Sequence, residues 1–222
     1  MGYQLDFGSL AQYLSLFLRG TAVTLGLTAV AASLGIALSI AGAATARGGL
    51  AWARKLVAAY VELIRNTPFI VQMFFVFFGL PSLGLRLTAI EAAVLAMTVN
   101  LTAYAIEIVR AGIEAVARGQ REAGLALGIR PREVFVLIVL PQALANVYPA
   151  LVSQIVITML ESAVVSQIAV TDLTHMGDLI QSRNFRAFET YLVVTAIYLA
   201  LAVLMRRLLA RFGRRLVAGR AA

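Results

Sequence analysis

The sequence predicts an all-α, polytopic membrane protein with five transmembrane helices. Composition excludes a water-soluble globule: 61% of the 222 residues are hydrophobic and only 14% are charged. Soluble domains carry about 25% charged residues. The mean hydropathy of +0.87 also excludes a disordered chain, which needs low hydrophobicity. The remaining observation is placement: long apolar stretches alternate with connections that are by turns basic and nearly free of basic residues. The chain has no cysteine, so disulfides, thiolate metal sites, cysteine nucleophiles and iron–sulfur clusters drop out.

A spanning helix needs about 20 mostly apolar residues. Five stretches lack Asp, Glu, Lys and Arg: 20–46, 66–85, 92–106, 134–160 and 190–205. Extended through their flanks, with a few charged residues near the ends, they predict spans at about 12–46, 56–80, 87–112, 134–161 and 187–210. These lie in a single transmembrane domain, 1–222, with a loop at about 113–133. The first span carries Gly26, Gly35 and Gly42, expected to admit close helix packing. Pro141 and Pro149 interrupt the fourth, where each removes an intrahelical hydrogen bond and is expected to kink the helix. Barrel strands would alternate in polarity, and 134–140 and 192–204 do not. A cleaved signal peptide is not expected, because the first seven residues carry no positive charge and include Asp6.

The basic residues test the count. Fifteen of the 19 follow spans one, three and five; the other four are Arg19, Arg86, Arg183 and Arg186. Positive charge marks cytoplasmic connections, so the N-terminus is expected outside and the C-terminus inside. Nucleic-acid binding is then a poor use of the net charge of +8.

The longest polar stretch is the loop, RAGIEAVARGQREAGLALGIRPRE, residues 110–133. It reads as one or two short helices on the membrane surface, with Pro131 opening the next helix at its first turn. Leu125, Leu127 and Ile129 stand between charges there. Such a surface suits docking to another protein. Inside the spans, polar residues are costly and therefore informative. Asn100 is mid-span in the third helix. Gln154, Thr158 and Glu161 share one face of the fourth at helical spacing. Together they read as a polar strip facing a cavity; the alternative is hydrogen bonding within the bundle. Glu107 precedes Arg110 by three residues and is expected to pair with it locally.

Glu122-Ala123-Gly124, Gly128 and Ile138-Val139-Leu140-Pro141 resemble the EAA motif of bacterial ATP-binding-cassette importer permeases. That motif reads Glu-Ala-Ala, three residues, Gly, nine residues, Ile-x-Leu-Pro. Gly124 departs from it, a change expected to loosen the short helix slightly. Residues 62–68, ELIRNTP, and 104–113, YAIEIVRAGI, look like the start of the second helix and end of the third in permeases for polar amino acids. The Glu161-Ser162-Ala163-Val164-Val165 stretch departs from that subfamily, which often has Lys-Asp-Thr-Ser-Leu there. The resemblance implies the type I (MetI-like) importer fold and a permease subunit carrying polar amino acids by alternating access; basic ones are favoured because Glu161 stands where the subfamily often has lysine and no basic residue occurs between Arg132 and Arg183 to pair with it. It implies a second permease copy or close paralogue, two cytosolic ATPase subunits and an extracytoplasmic solute-binding protein. Arg118, Gln120, Glu122, Ala123, Gly124 and Gly128 would couple to the ATPase. Asn100, Tyr104, Gln154, Thr158 and Glu161 are the candidate substrate contacts.

No phosphate loop of the G-x-x-x-x-G-K-[ST] type occurs in the sequence, so ATP and Mg are expected on the ATPase chain, and no cofactor in this one. Asp172, His175 and Asp178 recur every third residue, but one imidazole and two carboxylates do not amount to a metal site. Ser153, Ser162 and Ser166 have no plausible histidine partner for a triad, and no enzyme is expected. The alternatives are an ion-gradient-driven transporter or channel with Glu161 as its ion or proton site, and a membrane-embedded hydrolase, which lacks its nucleophile–base pair.

Overall fold

The computed structural model describes residues 5–218, with the side chains beyond Gly213 left aside. The termini Met1 and Ala222, on which the expected orientation bears, and Arg220 of the C-terminal basic cluster lie outside the described residues. Among the described residues there is no strand. A 3-10 turn, Gly8–Tyr13, leads into α1, Leu14–Gly48. Next come α2, Ala51–Arg65, α3, Phe69–Ser82, and α4, Ala89–Ala115. The loop holds α5, Arg118–Ala126. Then come α6, Pro131–Ile168, α7, Leu173–Asn184, and α8, Ala187–Ala218.

Four of these helices, α1, α4, α6 and α8, are each long and apolar enough to cross a membrane; five spans result if α2 and α3 together make one. The expected second span is not a continuous rod. α2 stops at Arg65 and α3 starts at Phe69, with Pro68 between them. Proline pushes the preceding residue out of the helical region, and that breaks the helix.

Sequence chemistry explains the helix ends. Thr88 and Glu91 form a capping box at the start of α4: the Glu91 carboxylate accepts from the Thr88 N–H at 2.8 Å, and the Glu91 N–H reaches Thr88 Oγ1 at 3.3 Å. Asp172 caps α7, accepting from His175 N at 2.9 Å and Thr174 N at 3.2 Å. α6 opens with Pro131 at its first turn and then widens into a π turn, Val134–Val139. Pro141 follows, and a proline ring clashes with the carbonyl four residues back; here that is Leu137, inside the widened turn. The helix then continues through Pro149.

The described chain divides into two compact units. The first comprises residues up to Ser33, Thr67–Thr98 and Val156–Met205. Its core joins Leu27 and Ala31 of α1, Met73 of α3, the Ala92, Ala93, Ala96 face of α4, and Val165. Lipid is as apolar as leucine, so helices in a membrane associate by close packing of small residues, and that alanine face is almost wholly buried. A second cluster gathers Leu10, Phe17, Leu173, Ile180 and Val194. There α1 meets the start of α7 at Gly20, where a Cβ would fall 2.7 Å from Leu173 Cα and 2.9 Å from the Asp172 carbonyl oxygen. Backbone cannot yield as a side-chain tip can. Gly20→Val is expected to cost roughly 1–3 kcal/mol by overpacking, read as a lower unfolding midpoint in detergent; an unchanged midpoint would refute this packing.

The second unit comprises Leu34–Asn66, Val99–Ile155 and the chain from Arg206. Ala43, Ala105, Val109, Ile113, Val134 and Ala143 form its core. Gly35 and Gly42 let α1 approach Leu101 and Ile106 of α4. A Cβ at Gly26, in the first unit, would meet nothing within 4 Å among the described residues, so the packing expected of it is not seen there. Long-range hydrogen bonds reinforce this unit: Tyr60 Oη donates to the Val99 carbonyl at 2.6 Å, and Arg47 donates to the Ile113 carbonyl at 3.0 Å.

Candidate coupling loop and transport residues

The loop expected at 113–133 begins where α4 ends, at Ala115. Its helix, α5, packs on the first turns of α6 through one residue: Gly124 alone is buried. A Cβ there would stand 2.9 Å from Val134 and 3.0 Å from Ile138. The glycine that stands where the motif has alanine is therefore a seat for those two side chains, and any propensity lost in α5 is set against this closer packing. α5 ends in a Schellman motif. The Ile129 N–H reaches back to the Gly124 carbonyl at 3.2 Å, and the Gly128 N–H to the Leu125 carbonyl at 3.0 Å. This places Gly128 at φ +76°. A Cβ at Gly128 would meet nothing within 4 Å, so the requirement is conformational and steric space is not at issue. Ile129 turns its side chain to the core of the unit, and Glu133 reaches back to the Arg130 N–H at 3.3 Å.

With Gly124 and Ile129 inward, α5 presents its other face. Arg118, Gln120, Glu122 and Ala123 are exposed, as are Leu125 at 40% and Leu127 at 79%. Beside α5 runs a groove of about 1140 Å³, bounded by Arg47 of α1, Glu114 of α4, Arg118 and Glu122 of α5, and Arg132 and Phe135 of α6. The exposed leucines and mixed charges make a surface fit for a folded protein partner.

The candidate substrate residues are placed as follows. In the second unit, Asn100 on α4 and Gln154 on α6 are buried, at 3% and 8% exposure. In the first unit, Thr158 on α6 is buried and its hydroxyl has no hydrogen-bond partner among the described residues. Glu161, one turn further along α6, is half-buried, and no basic residue lies within ion-pair distance of it among the described residues. Tyr104 lies under the Arg65 guanidinium, whose carbon is 5.5 Å from the ring centroid.

That last contact belongs to a cluster the sequence shows only in part. Glu107 pairs with Arg110 at 2.9 Å, as their spacing suggests. It also pairs with Arg65 of α2 at 3.4 Å, a contact across 42 positions of sequence that no local pattern signals. Arg110 further bonds Glu114 at 2.8 Å. At the other candidate cluster, Asp172 is committed to the α7 cap and to the Tyr198 hydroxyl, at 3.1 Å. Asp178 accepts from the Tyr191 hydroxyl.

Long apolar helices, with the small helix α5 between two of them in sequence, define a multi-pass membrane component. The chain belongs to the family described as binding-protein-dependent transport system inner membrane component, which matches residues 35–218. It is 34% identical over 217 residues to the glutamine transport system permease protein GlnP of Escherichia coli (strain K12), covering 96% of this chain and 98% of that one. It is also 34% identical over 206 residues to the arginine transport system permease protein ArtQ of Bacillus subtilis (strain 168), covering 90% and 92%. Among solved structures, an amino acid ABC transporter crystallised with histidines superposes with a TM-score of 0.87 at 37% identity, covering 96% of this chain and all of that one. The MetNI methionine transporter in an inward-facing conformation, 21% identical with a TM-score of 0.76, shares the fold. The chain is thus a multi-pass inner-membrane transport component with the MetI-like fold, and it is no enzyme. Its family implies a separate ATPase and a solute-binding partner.

Proposed function

We propose that this chain is the permease of an ATP-driven importer of polar amino acids, with basic ones favoured. The observation that carries the amino-acid reading is the similarity to permeases named for glutamine and arginine along nearly the whole length of all three chains. Two permease copies, or one and a close paralogue, assemble with two cytosolic ATPase subunits that bind ATP and Mg, and with an extracytoplasmic solute-binding protein. Closure of the ATPases moves the Arg118–Gly128 segment, including Gln120, Glu122, Ala123 and Gly124. That motion opens the permease outward to accept the solute, and hydrolysis resets it inward. Asn100, Tyr104, Gln154, Thr158 and Glu161 contact the solute, with Glu161 meeting a cationic group.

The deciding experiment is uptake of labelled amino acids into vesicles holding the permease, its ATPase and its binding protein. ATP-dependent accumulation of an amino acid is expected. Accumulation driven by an ion gradient without ATP would overturn the reading in favour of the gradient-driven alternative. Orientation has its own test. The split of basic residues, 15 against 4, puts the N-terminus outside and the C-terminus in the cytoplasm. Reporter fusions at the two ends are expected on opposite sides; a same-side result would mean an even number of spans.

A further inference from the structure

α2 carries two stripes that the transport cycle leaves unused. Along one, Trp52, Leu56 and Leu63 are 63%, 61% and 64% exposed. At 100° per residue these three fall within about 40° of one another on the helix. The other side of α2 lines a cavity of about 960 Å³ whose opposite wall is α4, at Tyr104, Glu107 and Arg110. Four cations line that cavity, Arg54, Lys55, Arg65 and Arg110, against two carboxylates, Glu62 and Glu107. Glu107 is already shared by Arg65 and Arg110. Arg54 and Lys55 are exposed, with no carboxylate within ion-pair distance among the described residues.

A cationic cavity flanked by an apolar stripe has the chemistry of one ligand already present around such a chain. We infer that the α2–α4 cavity binds the headgroup of an anionic phospholipid, with its acyl chains lying along the Trp52–Leu56–Leu63 stripe. Basic pockets between membrane helices hold anionic headgroups in this manner, and tryptophan settles at the headgroup level. Charge decides for an anionic lipid over a second copy of this chain, whose net charge is +8: a phosphate diester that carries no ammonium neutralises Arg54 and Lys55, whereas a zwitterionic headgroup leaves them without a counter-charge. The inference adds to the transport reading: it rests on Arg54 and Lys55, which are not among the proposed solute contacts, although Tyr104, which is one, shares the cavity wall.

Trp52 is the only tryptophan of the chain, and it sits two residues from Arg54. The full chain, reconstituted in phosphatidylcholine vesicles, is tested with brominated phosphatidylglycerol or brominated phosphatidylcholine at equal mole fraction, and quenching of Trp52 fluorescence is read. The brominated phosphatidylglycerol is expected to quench more. The double variant Arg54→Gln/Lys55→Gln, with its emission maximum unchanged, is expected to lose that preference by roughly thirtyfold, at about 1 kcal/mol for each of the two basic residues near an anionic surface. Equal quenching by the two lipids in the unsubstituted chain, or an undiminished preference in the double variant, overturns the site. So does the absence of quenching by either lipid, which would mean that a second chain covers the stripe. No ATPase or amino acid enters the measurement, so its failure is distinguishable from failure of the uptake assay.

Discussion

Gly128→Val is expected to cut ATP-dependent uptake by roughly tenfold or more while the chain stays inserted. The cost follows from φ +76° at Gly128: a left-handed residue other than glycine costs about 1–2 kcal/mol, and a β-branched one more. Nothing lies within 4 Å of the position a Cβ would take, so no clash contributes. What the substitution would disturb is the turn that returns Ile129 to the core and fixes the end of α5. The long helices do not pass through this residue, and insertion should survive. Asparagine tolerates the left-handed region and sometimes closes helices there, so Gly128→Asn is expected to keep most of the uptake. The pair of variants separates two causes. If asparagine fails as badly as valine, the side chain itself blocks the partner and the turn is not the reason. If valine transports normally, the loop is not the coupling element.

The long apolar elements were legible in the sequence, because membrane spanning imposes a length and a composition that survive without any knowledge of neighbours. The turn at Gly128 was legible for a similar reason: a glycine just beyond a short helix is a local signal. The break at Pro68 was only half legible. Hydropathy sums over the window and reads α2 and α3 as one segment, although a proline near the start of that stretch is a local signal that a helix can end there. The Arg65–Glu107 pair was hidden, since side chains 42 positions apart meet only through the packing of α2 on α4. At Gly124 only half was legible, for the same reason. Helix propensity is a property of one residue, whereas its burial under Val134 and Ile138 is a property of the pair of elements.

Glu161→Gln is expected to raise the KM for basic amino acids roughly tenfold to a hundredfold, in line with about 1.5–3 kcal/mol for a hydrogen bond to a charged group. A carboxylate within a spanning helix requires a counter-charge or a proton. No basic residue occurs in sequence between Arg132 and Arg183, and none stands within ion-pair distance of Glu161 among the described residues. In the proposed reading a cationic solute supplies that counter-charge. The relatives named for glutamine and arginine differ in the charge of the solute they are named for. The amide keeps the shape of Glu161 and removes its charge, so uptake of a neutral amino acid is expected to change little. The competing account has Glu161 paired with a residue of the second permease copy. In that case the variant should weaken assembly of the complex and lower the uptake of all substrates alike, with no shift in the ratio of basic to neutral. Selectivity for basic amino acids at Glu161 is abandoned if the variant matches the unsubstituted protein on arginine, lysine and histidine, or if the unsubstituted transporter carries only neutral or acidic amino acids.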